Sequence, residues 1–349
     1  MKRCILFAVS VAIALAITCS VAGASSCQLT KVAEWPVRLE RNKLIVDGAI
    51  NGQKIGVLLD TGASTTLIFR AAAARLGLAL REVRNYRVVG VGGETNVESA
   101  SIDEFRVGQS VRKNWRMLVA GERDPGGDVA VLLGEDFFQM FDIEFNLPHK
   151  MVRLYQPKDC DGVSLAYWAS AGAGEVGFEE VDARHPKIVV PVSINGQSTK
   201  ALLDSGAALS LLDKAEAARL GVTPETPGVI AASSGVGLGT KSVESWIGPF
   251  QSFTIGDETI TNTEIRFSDW RKDLAFGVTG SRLPTKLLGL PSMLLGADFL
   301  RSHRLLVAHS QRKIYFTHAG GPVFQLNRPP VPQGDPRPEE NAKSAPTEN

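Results

Sequence analysis

Short apolar runs separated by turn residues predict a chain built mostly from β-strands. Residues 44–50 alternate between apolar and polar positions, Asn51-Gly52 is a hairpin turn signal, and residues 53–59 form the return strand. The same pattern recurs over residues 187–203, with Asn195-Gly196 as the turn. We therefore expect one antiparallel hairpin of the same design in each half of the chain.

Helical signals are few and short. Ala-rich stretches at residues 70–76 and 215–220 each end at a glycine, which predicts two short helices. Neither half shows an alternation of strands and long helices, so a doubly wound parallel sheet is not expected. Pairs of apolar residues near the end of each half predict a closing strand: Val152 and Leu154 in the first, Ile314 and Phe316 in the second.

The chain is an internal repeat. Residues 50–78 align without gaps with residues 194–222, and 16 of the 29 positions are identical. Two later landmarks also match: residues 105–108 with 253–256 at an offset of 148, and residues 132–137 with 294–299 at an offset of 162. This rise in offset places 14 additional residues in the second copy, near 268–292, where we expect a surface loop. The pattern is that of a duplicated fold.

Composition favours an ordinary globular protein of two domains. The 349 residues are 44% hydrophobic and 21% charged, and the usual domain size is roughly 100–200 residues. Lys and Arg number 38 against 37 Asp and Glu, which gives a net charge of +1. Such a balance provides no basic surface for nucleic acid and no polybasic patch for a membrane.

The N-terminus has the layout of a secretory signal. Lys2 and Arg3 precede an apolar run over residues 5–17, and the small residues 22–24 follow. The run is short for a membrane span of ~20 residues, so we expect cleavage after Ala24 and export to the periplasm or the cell exterior. A retained anchor helix is the alternative.

Cleavage would leave two cysteines, Cys27 and Cys160. An even pair in an exported protein predicts one disulfide, and two free thiols are the alternative. The expected organisation is a signal peptide at 1–24, a first lobe at 25–160, a linker at 161–186, a second lobe at 187–320 and a Pro-rich disordered tail at 321–349.

Two aspartates occupy equivalent places in the repeat. Asp60 and Asp204 each follow an apolar strand and precede a hydroxyl residue and a glycine. A pseudo-two-fold axis between the copies could bring the two carboxyl groups together, where they would share one proton. One group could then deprotonate a water while the other donates to a carbonyl oxygen.

The chain resembles the retropepsin-like branch of the aspartic proteases, over roughly 37–157 and 187–317. The motif that carries the resemblance, two apolar residues followed by Asp-Thr/Ser-Gly-Ala, is present twice. Both copies also have the downstream apolar-apolar-Gly element, at residues 132–134 and 294–296. A shared proton between two carboxyl groups is a known property of this enzyme class.

The resemblance implies an all-β fold of two tandem closed β-barrel lobes with short helices, related by a pseudo-two-fold axis. It assigns Asp60 and Asp204 as the catalytic pair. Thr61 and Ser205 become hydroxyls that cross-brace the active-site loops, beside Gly62 and Gly206. Peptide or protein substrates and no cofactor are expected.

By the same resemblance, two glycine-rich segments are expected to be flap hairpins that close over the substrate. Their glycines are Gly90, Gly92 and Gly93 in the first half and Gly235, Gly237 and Gly239 in the second. Two ordinary hairpin tips are the alternative. Asp136 and Asp298, beside the downstream glycines, are expected to be caps or local hydrogen-bond partners. The histidines show no metal-ligand spacing, so no metal site is expected.

Three functions remain open. The leading hypothesis is an exported aspartic endopeptidase that works as a monomer, since one chain supplies both halves. The second is a catalytically silent peptide-binding protein with the same fold. The third is an assembly in which each copy pairs with its twin in another molecule. Ala208 stands where the first copy has Ser64, which leaves open whether the second lobe is fully competent.

Overall fold

A computed structural model describes residues 27–180, 187–239, 241–272, 276–277, 285–286 and 291–324. The expected signal peptide, most of the expected surface loop near 268–292 and the chain beyond residue 324 lie outside the described residues.

Strands dominate both halves. The strands of the first half are β1 (Gln28–Pro36), β2 (Arg38–Glu40), β3 (Lys43–Ile50), β4 (Gln53–Leu59), β5 (Leu67–Phe69), β6 (Leu80–Gly90), β7 (Gly93–Val107), β8 (Ser110–Ala120), β9 (Val129–Leu133), β10 (Asp142–Asn146) and β11 (Met151–Lys158). The later strands are β12 (Gly174–Gly177), β13 (Glu179–Glu180), β14 (Ile188–Ile194), β15 (Gln197–Leu203), β16 (Leu211–Asp213), β17 (Ile230–Val236), β18 (Ser242–Ile255), β19 (Glu258–Ser268), β20 (Phe276–Gly277), β21 (Thr285–Lys286), β22 (Met293–Leu295), β23 (His303–Ala308) and β24 (Lys313–His318). The helices are short: α1 (Arg70–Arg75), α2 (Glu135–Phe138), α3 (Lys214–Arg219) and α4 (Ala297–Ser302), with a 3-10 turn at Leu147–His149.

Each half contains a closed ring of six strands. In the first half the order is β3-β4-β9-β5-β8-β7, and β7 returns to pair with β3, where Phe105 faces Ile50. In the second half the order is β14-β15-β22-β16-β19-β18, and Phe253 of β18 faces Ile194 of β14. The prediction of an all-β fold with two tandem barrels is confirmed.

The hairpin turns are also as predicted. Asn51 and Gly52 both have positive φ, at 48° and 80°, which a tight two-residue turn requires and which Asn and Gly tolerate best. The side chain of Asn51 accepts hydrogen bonds from the backbone N–H groups of residues 103 and 104, both at 3.0 Å. Asn195 makes the equivalent contacts in the second half, so each turn is anchored to its own barrel.

The two barrels stand on a shared sheet with the order β1-β11-β10-β23-β24-β12. The halves meet in it where β10 pairs with β23, from Ile143 opposite Val307 to Asn146 opposite Arg304. The closing strands expected for each copy, β11 and β24, lie in this sheet rather than in the barrels. Backbone hydrogen bonds therefore join the halves directly.

The segment expected to be a linker, 161–186, is partly built into the fold. Its strand β12 pairs with β24, and β13 pairs with β14. Leu165 and Ala166 are buried, and Trp168 donates from Nε1 to the hydroxyl of Thr317 at 2.9 Å. These strands have two and four residues, too short to show a period in the sequence.

Two residues near the start of the expected tail, Val323 and Phe324, are likewise packed. The ring of Phe324 lies edge-on to Phe253, with centroids 5.2 Å apart, and Val323 is also buried. Their apolar side chains extend the core of the second barrel by one short segment.

A disulfide links Cys27 and Cys160. Cys27 precedes β1 and Cys160 follows β11, and these two strands pair antiparallel from Gln28 opposite Lys158. The bond therefore joins the ends of neighbouring strands in the shared sheet. None of the helices in the described part of the chain is long and apolar enough to cross a membrane.

Candidate active site

Asp60 and Asp204 lie at the ends of buried strands. The last residues of β4 and β15 are fully or nearly fully buried, and each strand pairs in parallel with a strand that ends just before a glycine. The backbone N–H of Asp60 donates to the carbonyl of Leu133 at 3.0 Å, and Asp204 donates to Leu295 at 2.9 Å. This parallel pairing extends one residue past the strand and fixes the backbone of each aspartate.

The turn after each aspartate is held by a second carboxylate. Asp136 accepts from the backbone N–H and the hydroxyl of Thr66 at 2.9 and 2.7 Å, and that hydroxyl accepts from the N–H of Gly134. Asp298 and Ser210 repeat this arrangement in the second half at 2.8 and 2.7 Å. The prediction that Asp136 and Asp298 are local hydrogen-bond partners is confirmed.

Thr61 and Ser205 connect the two loops across the pseudo-two-fold axis. The Thr61 hydroxyl donates to the carbonyl of Leu203 at 2.7 Å and accepts from the N–H of Ser205 at 3.0 Å. The Ser205 hydroxyl donates to the carbonyl of Leu59 at 2.9 Å and accepts from the N–H of Thr61 at 3.0 Å. Both residues are fully buried, so each hydroxyl satisfies two backbone groups that have no access to water.

Gly62 and Gly206 bring the carboxyl groups together. A Cβ on Gly62 would lie 2.3 Å from Cγ of Asp204, and one on Gly206 would lie 2.3 Å from Cγ of Asp60. Each carboxyl group therefore rests on the glycine of the opposite loop, and the two are in hydrogen-bonding contact. Any larger side chain at either glycine would separate them.

The surroundings of the two carboxyl groups differ. Asp204 accepts from the backbone N–H groups of Gly206 and Ala207, both at 3.0 Å, whereas Asp60 accepts from Ala63 at 3.0 Å. Burial raises the pKa of both groups, and the charge of Asp204 raises the pKa of Asp60 further. Two carboxyl groups in contact do not readily both ionise, and the additional backbone donor favours the ionised form of Asp204 over that of Asp60.

Two charged residues near the pair were not found by sequence reasoning. Nζ of Lys187 donates to the carbonyl of Gly62 at 2.8 Å, and Glu135 lies fully buried at the start of α2. The repeat offered no signal for either residue. Lys43 occupies the position of Lys187 in the first half without contacting a carboxylate there, and the residue equivalent to Glu135 is Ala297.

The predicted flap glycines lie at two hairpin tips that touch. Gly90 and Gly93 face each other across the turn between β6 and β7, and Gly92 has a φ of 87°. The N–H of Gly239 donates to the carbonyl of residue 91 at 3.1 Å, and the N–H of residue 241 donates to the carbonyl of Gly92 at 3.1 Å. A Cβ on Gly239 would lie 2.1 Å from that Gly92 oxygen, so this contact needs glycine.

The other two glycines of the second hairpin have different surroundings. A Cβ on Gly237 would lie 2.4 Å from the carbonyl oxygen of Val91, so Gly237 also permits the close approach of the two backbones. Gly235 lies within β17 opposite Val243, with ordinary space around it.

Each tip places one apolar side chain against the opposite half. Val91 packs on a cluster of the second half that contains Leu202, Leu294 and Trp270. Leu238 lies against Gly90 and Gly121 of the first half, and its carbonyl accepts from the N–H of Glu122 at 3.3 Å. Each tip thereby contacts the half of the chain opposite to its own.

Among the residues that the structure describes, no group of three or more His, Cys, Asp or Glu side chains is arranged to hold a metal ion.

Comparison with known proteins identifies the family of this chain. A sequence model described as "Aspartyl protease" matches residues 46–137 and 190–299, together more than half of the chain and one match in each barrel. No curated protein sequence matches the chain. Among solved structures, the aspartic proteinase from Irpex lacteus is similar over 82% of this chain and 97% of its own, with 13% identity and a TM-score of 0.46. On the strength of the two family matches, each spanning one copy of the Asp-Thr/Ser-Gly-Ala motif, this chain belongs to the aspartyl protease family.

Proposed function

We propose that the protein is an aspartic endopeptidase, which hydrolyses peptide bonds with a water held between Asp60 and Asp204. The observation that carries this proposal is the contact between the two carboxyl groups, which the glycines permit and the Thr61 and Ser205 hydroxyls brace. Such a pair is costly to maintain, because partial removal from water and the neighbouring carboxyl group both disfavour the charge that the pair must carry.

The chemistry follows from the shared proton. Ionised Asp204 takes a proton from the water, whose oxygen attacks the peptide carbonyl carbon, while Asp60 donates its proton to the carbonyl oxygen. The resulting tetrahedral diol then breaks its C–N bond. Asp204 passes its proton to the departing amine, and Asp60 recovers a proton from a diol hydroxyl. No covalent bond forms between enzyme and substrate.

The hairpin tips would form the roof of the substrate site. A peptide between the tips and the pair would be shielded from bulk water, which strengthens the interactions of the carboxyl groups with the reacting atoms. Because the tips contact each other in the structure, they would have to separate before a peptide enters.

A digest of a peptide library with mass-spectrometric readout tests the proposal. Asp60→Asn and Asp204→Asn should each abolish cleavage while the fold is retained, and Asp103→Asn, an exposed aspartate remote from the pair, should cleave as the wild type does. Wild-type turnover in either Asp60→Asn or Asp204→Asn would overturn the mechanism. Peptide binding by the wild type without any cleavage would instead identify a silent peptide-binding protein.

We further propose that the protein is exported and acts as a monomer. Export is supported by the disulfide, since such bonds persist mainly in oxidising compartments. A monomer is supported by the presence of both carboxyl groups in one chain, where tethering favours their pairing. Specific activity should then be constant from nanomolar to micromolar protein, and a loss on dilution would favour a pair formed between chains.

A further inference from the structure

A lysine of the second half reaches the active-site loop of the first. Lys187 directly precedes β14, is partly buried, and donates from Nζ to the carbonyl oxygen of Gly62 at 2.8 Å. Gly62 is the residue on which the Asp204 carboxyl group rests. The ammonium group is therefore bound directly to the residue that the Asp204 carboxyl group contacts.

A buried carboxyl group lies behind the same loop. The backbone N–H of Glu135 donates to the carbonyl of Ala63 at 2.8 Å, so Lys187 and Glu135 hold two consecutive carbonyl groups. Nε2 of His309, which follows β23 in the second half, lies 3.0 Å from Oε1 of Glu135. Titratable side chains from both halves thus meet at Glu135, whose backbone binds the loop that carries Asp60.

The arrangement of Lys187 and Glu135 beside the Asp60 loop has no counterpart beside the Asp204 loop in the described part of the chain. At the equivalent position of the first half stands Lys43, which makes no hydrogen bond or ion pair with a carboxylate in the described part of the chain, and whose pKa is lowered by burial and by Arg41. In place of Glu135 the second half has Ala297, which is apolar and buried. The duplicated fold therefore supplies its own control. Lys43 has the same position in the repeat as Lys187 but does not make the hydrogen bond that Lys187 makes with Gly62.

On the basis of the function proposed above, we propose that Lys187 is a positioning residue of the active site. Its positive charge stabilises the singly ionised carboxyl pair, so the pair still carries one negative charge at a lower pH than it would without the lysine.

The electrostatics of the neighbouring groups support this role. The charge of Lys187 lowers the pKa of both Asp60 and Asp204, against the upward effect of burial. Burial lowers the pKa of Lys187 itself, and the charges of Asp204, Asp60 and Glu135 offset part of this effect.

Several other titratable groups around this cluster affect the pKa of Glu135. Burial raises the pKa of Glu135, His309 lowers it and the adjacent Asp136 raises it. Asp142, which faces His309 from β10, belongs to the same group of charges. Burial thus favours the neutral form of Glu135, which weakens the attraction of Glu135 for Lys187.

The experiment compares variants that remove the charge with variants that keep it. Lys187→Met removes the charge and the hydrogen bond, Lys187→Gln removes the charge but keeps a donor for Gly62, and Lys187→Arg keeps both. Lys43→Met is the matched control. The readouts are the pH–rate profile and the carboxyl carbon NMR titration of the aspartates, which requires no turnover.

Loss of the Lys187 charge should raise both pH values at which the pair titrates, and both limbs of the activity profile, by roughly one pH unit. Met and Gln should give the same shift, and Lys187→Arg and Lys43→Met should titrate as the wild type does. A wild-type titration in both uncharged variants, or an equal shift in Lys43→Met, would overturn the proposal. If the wild type cleaves no peptide but the NMR shift appears, the endopeptidase function fails and the role of Lys187 stands.

Discussion

The brace between Thr61 and Ser205 allows a quantitative test. Replacement of Thr61 by valine keeps the shape of the side chain but removes the hydroxyl. The carbonyl of Leu203 and the N–H of Ser205 would both lose their partner in a fully buried place. Each unsatisfied buried group costs about 1–3 kcal/mol, so the expected loss is about 2–6 kcal/mol of unfolding free energy. That is a large fraction of the ~5–15 kcal/mol of a typical domain.

Urea denaturation of inactive protein, with the Asp204→Asn substitution as a common background, measures this loss without self-digestion. Thr61→Ser is the rescue variant, since it keeps the hydroxyl and should lose much less stability. Ser268→Ala is the matched control, because the Ser268 hydroxyl is equally buried but has no hydrogen-bond partner in the described part of the structure. Its removal should change stability by less than about 1 kcal/mol.

The reasoning fails if Thr61→Val is as harmless as Ser268→Ala. In the active background, Thr61→Val should also reduce turnover, because the loops that hold the carboxyl pair would no longer be joined on that side. Unchanged stability with reduced turnover would mean that the hydroxyl acts on the chemistry and not as a brace.

Three further outcomes follow from the structure. Gly62→Ala should reduce turnover by ~100-fold or more, since its Cβ would displace the opposite carboxyl group, and circular dichroism should show an intact fold. Gly239→Ala should weaken substrate binding through the contact between the tips, whereas Gly235→Ala, on the same hairpin but with space for a methyl group, should leave KM unchanged. Replacing Cys27 and Cys160 by serine should lower the unfolding free energy by about 5 kcal/mol in the chain-entropy model, and reductant should then have no further effect.

The sequence was sufficient to predict what the repeat and local turn chemistry determine. The turns at Asn51-Gly52 and Asn195-Gly196 and the strands that flank them follow from residues close in the chain. The pairing of β10 with β23 could not be predicted, since it joins residues more than 150 positions apart and belongs to neither repeat. The role of Lys187 could not be predicted although this residue does belong to the repeat. It aligns with Lys43, and the alignment gives no sign that the two lysines make different contacts.

A duplicated chain can place different groups around its two aspartates, whereas a symmetric pair of identical chains cannot. Two identical halves would place identical groups around both carboxyl groups, and neither would be the preferred site of the shared proton. Here Asp204 has two backbone N–H donors and Asp60 has one. Lys187 binds the loop of Asp60 alone, and Glu135 has no counterpart in the second half. The two carboxyl groups therefore have different surroundings before a substrate arrives, and the extra backbone donor favours the ionised form of Asp204 over that of Asp60.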